Sequence, residues 1–397
     1  MSLVKILPDI YWVGAIDWNV RNFHGYTYTT KRGTTYNSYL IMDEKIALVD
    51  TVYGPFAGDM IENIKQIIDP KKIDYIIANH VEIDHSGALP EILKLCPKAK
   101  VLGTAKCKEG LWKNFYLDMD FEVVKTGDKI NLGKRTLTFI EAPMVHWPDS
   151  MFTYCPEEQL LLPNDAFGQH YATSQRFDDE VNQAELMDEA KKYYANILWP
   201  LSQIILKKIE ELGKMKIDIK MIAPSHGIIW RKDPLKIISA YLSWAKNETI
   251  PKIIVVYETM WKATEKMAKK ISEGIFDIGV EVRLFDINQS DRTEIIKEML
   301  DARGFIIGSS THDNDMLPNI AGFLEFLKGL KPKDRLSCVF GSYGWQGGAV
   351  KNIEDILKES GLEIAQPSLS VRYVPDEKEL KNCYEFGKGF ALKIKGG

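Results

Sequence analysis

Apolar positions along this chain follow two rhythms, one before residue 246 and another after residue 251. In the earlier part, "TTYNSYLI" and "IALVDTV" alternate or run apolar on either side of a polar "MDEK", the pattern of a β-hairpin starting at Thr34. "FAGDMIENIKQII" has helical spacing, "DYIIANH" reads as a short buried strand, and "PEILKLC" begins a helix with proline in its first turn. "KVLGT" gives a further strand, followed by the β-segments "FEVVKTGD", "TLTFIEAP", "FTYC" and "QLLLPND". Residues 183–213 are helix-rich, "IKMIAPSH" is a last strand, and "PLKIISAYLSWAK" is a helix. Two groups of strands with helices between them predict an α/β or α+β sandwich, with the helices outside two sheets.

The polar, proline-containing "KNETIP" at 246–251 interrupts this pattern. Beyond it, "KIIVVYE", "EVRLFDI", "GFIIGSS" and "RLSCVFGSY" alternate with "TEKMAKKISEGIFDIG", "RTEIIKEMLDA", "LPNIAGFLEFLKGL" and "GAVKNIEDILKESG". Strict strand–helix alternation predicts a doubly wound parallel sheet.

A chain of 397 residues is long enough for two such domains. Its net charge of −4 gives no electrostatic case for nucleic acid or an anionic membrane. No apolar run is long enough for a transmembrane helix. The start, "MSLVKILPDIYWVG", lacks the apolar core and cleavage site of a signal peptide, so a cytoplasmic location is expected. Five scattered cysteines (Cys96, Cys107, Cys155, Cys338, Cys383) without a CxxC pair argue against a disulfide framework or a cysteine-bound metal. Buried thiols are expected instead.

The chemistry concentrates in "NHVEIDHSGALP", residues 79–90. His80 and Glu82 fall on one side of an extended segment, and Asp84 and His85 follow from the turn leading to a helix near Pro90. His146 in "EAPMVHWPDS", Asp165 in "LLLPNDAFG" and His226 in "MIAPSHG" each stand at the far end of a strand. Strand ends are where α/β architectures place function, and core packing does not explain the recurrence. Four imidazoles and three carboxylates suit two metal ions. One would be held by His80, Glu82 and His146, the other by Asp84, His85 and His226, with Asp165 bridging.

This spacing resembles the HxHxDH signature of the metallo-β-lactamase superfamily, with Glu82 at the second histidine. A hard anionic oxygen there favours an oxophilic, redox-active ion over zinc. The pattern HxExDH…H…D…H is similar to that of the flavodiiron proteins (A-type flavoproteins), over about residues 3–395. The resemblance implies a metallo-β-lactamase-like αββα sandwich at 1–248 and a flavodoxin-like doubly wound parallel sheet at 249–397. It also implies two non-haem iron ions and FMN per chain. The end at "KIKGG", with no rubredoxin appended, reads as the minimal two-domain form.

Three loops of the second half fit a flavin. Thr259, Met260, Trp261, Lys262, Ala263 and Thr264 form a turn whose N–H groups and hydroxyls suit a phosphate at a helix N-terminus. Ser309, Ser310, Thr311 and Asn314 belong to the second loop; Ser342, Tyr343, Gly344, Trp345, Gln346 and Gly347 belong to the third. Gly341, Gly344, Gly347 and Gly348 let backbone approach a flat ligand, and Trp261 and Trp345 are candidates to flank its ring. Lys262 and Gln346 stand where the family commonly has a small residue. No GxGxxG follows a strand, so dinucleotide binding is not indicated.

The function implied is reductive scavenging: dioxygen to water with four electrons, nitric oxide to nitrous oxide, or both. His24 resembles a residue lining the family's substrate cavity, and His170 and Tyr194 resemble hydrogen-bond partners that orient ligands or deliver protons. His312 reads as solvated. His85 stands where some family members have a direct ligand and others a water. The resemblance further implies a head-to-tail homodimer, or a dimer of dimers, with rubredoxin or a reduced deazaflavin coenzyme as electron donor. Two other functions compete: a dizinc hydrolase of the metallo-β-lactamase fold with a fused flavodoxin domain, opposed by Glu82, and a pure electron-transfer flavoprotein, opposed by the intact ligand set.

Overall fold

The computed structural model describes residues 4–396; Met1–Leu3 and Gly397, the outer ends of the two expected domains, lie outside the described residues. The chain divides into two compact units. One runs to Tyr193 and resumes over Gln203–Leu242, while the other takes Tyr194–Ser202 together with everything from Ser243.

In the first unit a seven-stranded sheet runs in the order Val4–Leu7, Ile10–Trp12, Tyr39–Ile41, Ala47–Val49, Tyr75–Ile77, Lys100–Gly103 and Phe121–Val123. A five-stranded sheet orders Lys129–Asn131, Thr136–Glu141, Met151–Cys155, Leu160–Leu162 and Met221–Ile222. Side-chain alternation divides each central strand between two cores. Tyr39, Ile41, Ala47, Val49, Ile77 and Leu102 pack with Leu137, Phe139, Met151 and Leu160 of the second sheet. Their neighbours Leu40, Leu48, Ile76 and Val101 pack instead with Met60, Ile64, Ile92 and Leu111 of covering helices. Burial on both faces explains why these strands read as continuous apolar runs.

The predicted hairpin forms by antiparallel pairing of Tyr39–Ile41 with Ala47–Val49. "TTYNSYLI" is nevertheless two strands, because Thr34–Tyr36 pairs with Ala15–Asp17 in a separate small sheet. The break is anchored by Asn37, whose amide donates to the carbonyls of Pro224 (2.8 Å) and Gly227 (3.1 Å) and accepts from Trp12 Nε1 (2.8 Å). "FEVVKTGD" supplies Phe121–Val123, which closes the edge of the first sheet by parallel pairing rather than joining the β-segments that follow.

The second unit carries a parallel sheet in the order Glu281–Asp286, Ile250–Glu258, Ala302–His312, Leu336–Tyr343, then Glu363–Ile364 and Leu369–Arg372. Counting along the chain this is 2-1-3-4-5, the flavodoxin-like doubly wound order. The fifth-strand segments and the closing helix Glu377–Gly396 follow the last element the alternation predicted. All five cysteines are buried and free. No helix among the described residues is long and apolar enough to cross a membrane.

Candidate metal centre and flavin loops

The strand Tyr75–Ile77 ends just before Asn79, and the chain turns at Glu82 into a short helix, Ile83–Ser86. The Glu82 carbonyl accepts the amides of His85 (3.0 Å) and Ser86 (2.9 Å). His80 and Glu82 therefore leave the extended part while Asp84 and His85 leave the helix, and all four aim at one space. Two groups of donors result: His80, Glu82, His146 and Asp165, and Asp84, His85 and His226.

Asp165 joins them. Its Oδ2 lies 3.7 Å from His80 Nε2 and 3.3 Å from His146 Nε2; its Oδ1 lies 3.0 Å from His85 Nε2 and 3.5 Å from His226 Nε2. Glu82 Oε2 is 3.3 Å from His80 Nε2 and 3.5 Å from His146 Nε2. Asp84 Oδ2 is 3.2 Å from His85 Nε2 and 3.0 Å from His226 Nε2. Donors about 2.1 Å from one ion lie roughly 3.0–3.4 Å apart across a tetrahedral or octahedral edge, so each set fits one cation. Unspent lone pairs agree: Asp84 Oδ1 and Asp165 Oδ2 are buried without a hydrogen-bond partner.

Outer contacts fix the imidazoles. His80 Nδ1 meets Asp149 Oδ2 (3.0 Å), which also accepts from Val81 N (2.8 Å). His226 Nδ1 donates to the Thr35 carbonyl (2.7 Å), which leaves Nε2 as the free donor atom. Gly227, at φ +75°, is needed beside it, since a Cβ there would lie 1.7 Å from Gln169 Oε1. Burial opposes charge on both His80 and His85. Even so, Asp149 and Glu82 hold His80 well above the ordinary imidazole range, and Asp165 and Asp84 carry His85 up to about 9.

Above the donors opens a cavity of about 770 Å³ with Glu82 and Asp84 in its lining, beside Phe23, Tyr36, Tyr53 and Trp147. His24 also lines it, with Nε2 3.1 Å from Glu82 Oε1. His170 is buried, bonded through Nδ1 to Thr34 Oγ1 (2.7 Å), with its ring 4.8 Å from that of His226. Tyr194 needs correction. Its hydroxyl bonds Ser202 Oγ (2.9 Å) and its ring lies 5.2 Å from Trp244. The tyrosine beside the imidazoles is Tyr193, with ring centroids 5.2 Å from His170 and 6.3 Å from His226. Periodicity does not separate the two: Leu186, Ala190 and Tyr193 fall at i, i+4 and i+7 of the helix Gln183–Tyr193, but Tyr194 at i+8 is buried as well.

In the second unit the three predicted loops meet at the carboxyl edge of the sheet. Thr264 Oγ1, at the start of the helix Ala263–Phe276, bonds Ser310 Oγ (2.9 Å) and Ser342 Oγ (2.8 Å). Met260 N donates to Ser310 Oγ (3.4 Å), and Ala349 N to Thr311 Oγ1 (3.4 Å). Ser309 is turned inward, accepting from Leu317 N (2.9 Å). Gly348 packs so closely that a Cβ would sit 1.9 Å from the Asn314 carbonyl, pressing the second loop against the third. Thr259 Oγ1 is buried with no hydrogen-bond partner, as a hydroxyl reserved for a ligand would be. Lys262, at φ +66°, precedes the helix. Trp261 and Trp345 are exposed at 86% and 87%, leaving both indoles free to cover a flat ring. Tyr343, Gly344, Gln346 and Gly347 complete the third loop, where the Gly344 carbonyl accepts from Arg372 Nε (2.9 Å). His312 is half-exposed beside Asp313.

A β-sandwich with paired metal-donor sets, followed by a 2-1-3-4-5 parallel sheet with a phosphate-type loop, defines a flavin- and metal-dependent oxidoreductase. The comparisons agree. A family model described as ODP family beta lactamase matches residues 34–227, and one described as flavodoxin matches 255–387. The chain is 54% identical over 393 residues to the nitric oxide reductase of Moorella thermoacetica, covering 98% of each. It superposes with a TM-score of 0.97 on the rubredoxin oxygen:oxidoreductase of Desulfovibrio gigas, at 37% identity, covering 100% of this chain and 99% of that one. The flavodiiron protein of Giardia intestinalis gives 0.96 at 34% identity, covering 100% and 97%. This chain belongs to the flavodiiron proteins, oxidoreductases named for their flavin and two irons.

Proposed function

We propose that the protein reduces nitric oxide, dioxygen or both at two non-haem irons held by His80, Glu82, His146, Asp84, His85, His226 and a shared Asp165, with FMN as the internal electron carrier. The observation that carries this reading is the division of Asp165, one oxygen toward each donor set. Bound there, the irons would supply one-electron chemistry and a Lewis acid, and FMN would convert electron pairs into single electrons. Glu82 adds an anionic oxygen where a zinc hydrolase of this fold would use imidazole. Phe23, from the cavity, and Tyr193 both pack against the His226 ring (centroids 5.6 and 6.3 Å), and His24 reaches Glu82 from the cavity as well. His24 and His170 are assigned to the substrate cavity and to ligand support respectively; that support passes to Tyr193 in place of Tyr194.

In the second unit, Thr259 and the hydroxyls tied to Thr264 would hold the FMN phosphate, with Lys262 adding charge and the two tryptophans flanking the ring. Nitric oxide is the substrate supported by the Moorella relative, and dioxygen by the Desulfovibrio one. Rubredoxin is the donor the latter name suggests, with a reduced deazaflavin coenzyme as the other reading. A cytoplasmic, head-to-tail homodimer completes the assignment. The test is metal and flavin content of anaerobically purified protein, then nitric oxide and dioxygen uptake with reduced rubredoxin. About two irons and one FMN per chain are expected, with uptake of at least one gas; two zincs and no reductase activity after iron loading would return the dizinc hydrolase.

Metal uptake should also release protons. Without metal, His80 is held above its ordinary range and His85 is carried up to about 9, so both favour the protonated form, whereas a ligand imidazole must be neutral. Affinity is therefore expected to fall as pH drops, with a net release of protons on loading. Calorimetry in buffers of different ionisation enthalpy measures this, and release near zero would place the protons elsewhere.

A further inference from the structure

At the carboxyl edge of the parallel sheet lies a buried carboxylate outside the three flavin loops. Glu258 ends the strand Ile250–Glu258, immediately before Thr259, and is 5% exposed. Its Oε2 accepts the amides of Asn319 (3.1 Å) and Ile320 (3.0 Å), and its Oε1 accepts Asn319 Nδ2 (3.0 Å). Those amides belong to the first turn of the helix Pro318–Leu330, whose own N-cap residue, Leu317, makes no side-chain cap. Glu258 supplies that cap from 61 residues away. Ser309, paired in register with Glu258 on the neighbouring strand, accepts the Leu317 amide (2.9 Å). The side chain of Asn319 also donates to Asn288 Oδ1 (2.6 Å), in the loop after the strand Glu281–Asp286. One carboxylate thus ties the start of the first flavin loop to the end of the second.

We infer that Glu258 is a positioning residue of the flavin-phosphate site. It closes the helix Pro318–Leu330 to anions and holds the first loop so that Thr259 and the helix Ala263–Phe276 receive the phosphate. The inference rests on the FMN reading above. The helices that follow the first four strands of this unit begin at the same edge, and a helix N-terminus attracts anions. Asp291 caps Arg292–Met299, accepting Thr293 N (2.9 Å), and Glu258 caps Pro318–Leu330. Thr311 Oγ1 accepts the first amide of Ala349–Glu359 (3.4 Å). In Ala263–Phe276 the N-cap residue is Lys262, which makes no side-chain cap, and the Thr259 hydroxyl nearby is buried without a partner. The phosphate is thus steered to a terminus that lacks a cap and carries a cation. The three groups that meet the Glu258 oxygens are all N–H donors, which suits an acceptor-only carboxylate. Those donors and the helix dipole also offset its charge, so its repulsion of a nearby phosphate is small beside the loss of the loop's anchor.

The test compares FMN with riboflavin, which lacks the phosphate, on full-length iron-loaded protein freed of flavin, by the quenching of flavin fluorescence. Wild type is expected to bind FMN more tightly than riboflavin. Glu258→Ala is expected to bind FMN roughly 10–30-fold more weakly, with riboflavin affinity little changed and iron content the same. A side chain that merely stabilised the unit would weaken both flavins alike. The control is Asp291→Ala, which removes the cap of another helix at this edge and should lower Tm without moving the ratio of the two affinities. Should Glu258→Ala not fold, Glu258→Gln carries the test. It keeps the shape, sets an NH₂ against a donor, and should move the ratio in the same direction. Equal weakening of both flavins, unchanged FMN affinity, or tighter FMN in these variants would overturn the inference. Wild type that binds neither flavin, or both equally, would instead overturn the FMN reading.

Discussion

Asp165→Asn is expected to abolish reductase turnover, by more than about 100-fold, and to lose metal from both donor sets while FMN stays bound. The asymmetry with the other carboxylates follows from geometry. Asp84 Oδ2 meets His85 and His226 of one donor group, so Asp84→Asn should strip one ion preferentially. Asp165 is shared, with an oxygen at 3.0 Å from His85 and another at 3.3 Å from His146. An amide there gives up the charge between two dications and can offer an oxygen to one side only. Iron and FMN counts on the same preparation decide the matter; retention of two irons by the Asn variant would mean that Asp165 does not bridge.

The second large effect is expected in the other unit. Thr264→Val keeps the shape of a fully buried side chain but removes the hydroxyl on which Ser310 and Ser342 converge. Two hydrogen bonds at about 1 kcal/mol each, together with the loosened loops, predict FMN binding weaker by roughly 30–100-fold. Iron content should not change. Ser310 and Ser342 remain 3.3 Å apart and can still pair, so the loop collapses only partly. Flavin fluorescence on titrating the apoprotein measures the loss, and an unchanged affinity would remove this triad from the phosphate site.

Both groups of candidate donors could be proposed from the sequence for one physical reason. A strand that runs into the core must end somewhere, and polar side chains placed just beyond that end have no packing role. His80, His146, Asp165 and His226 all show this signature, and period-two alternation correctly put His80 beside Glu82. The short helix Ile83–Ser86 carrying Asp84 and His85 was not legible, because four residues are too few for a 3.6-residue repeat to register. Lys129–Asn131 escaped for a related reason, being three residues long with a single apolar position. Tyr193 and Tyr194 could not be told apart from the pattern, since they lie at i+7 and i+8 from Leu186 on one apolar face and both are buried. Asn37 and Glu258 were invisible in a different way. Their partners lie far along the chain, and a buried polar anchor has no periodicity to betray it.

The stretch Tyr194–Ser202 carries a consequence for how the molecule is made. It belongs to the second unit, where Asn196 Nδ2 donates to the Thr293 carbonyl (3.1 Å), Trp199 Nε1 to Asn247 (3.3 Å), and Arg335 covers the Trp199 ring. A growing chain therefore emits this segment roughly 100 residues before Thr293 and some 130 before Arg335 reach it. During that interval the ribosome has released nearly all of the metal-binding half with a tryptophan-bearing loop still waiting for its seat. No single cut separates the halves cleanly, and the two units are heirs to one synthesis rather than interchangeable modules.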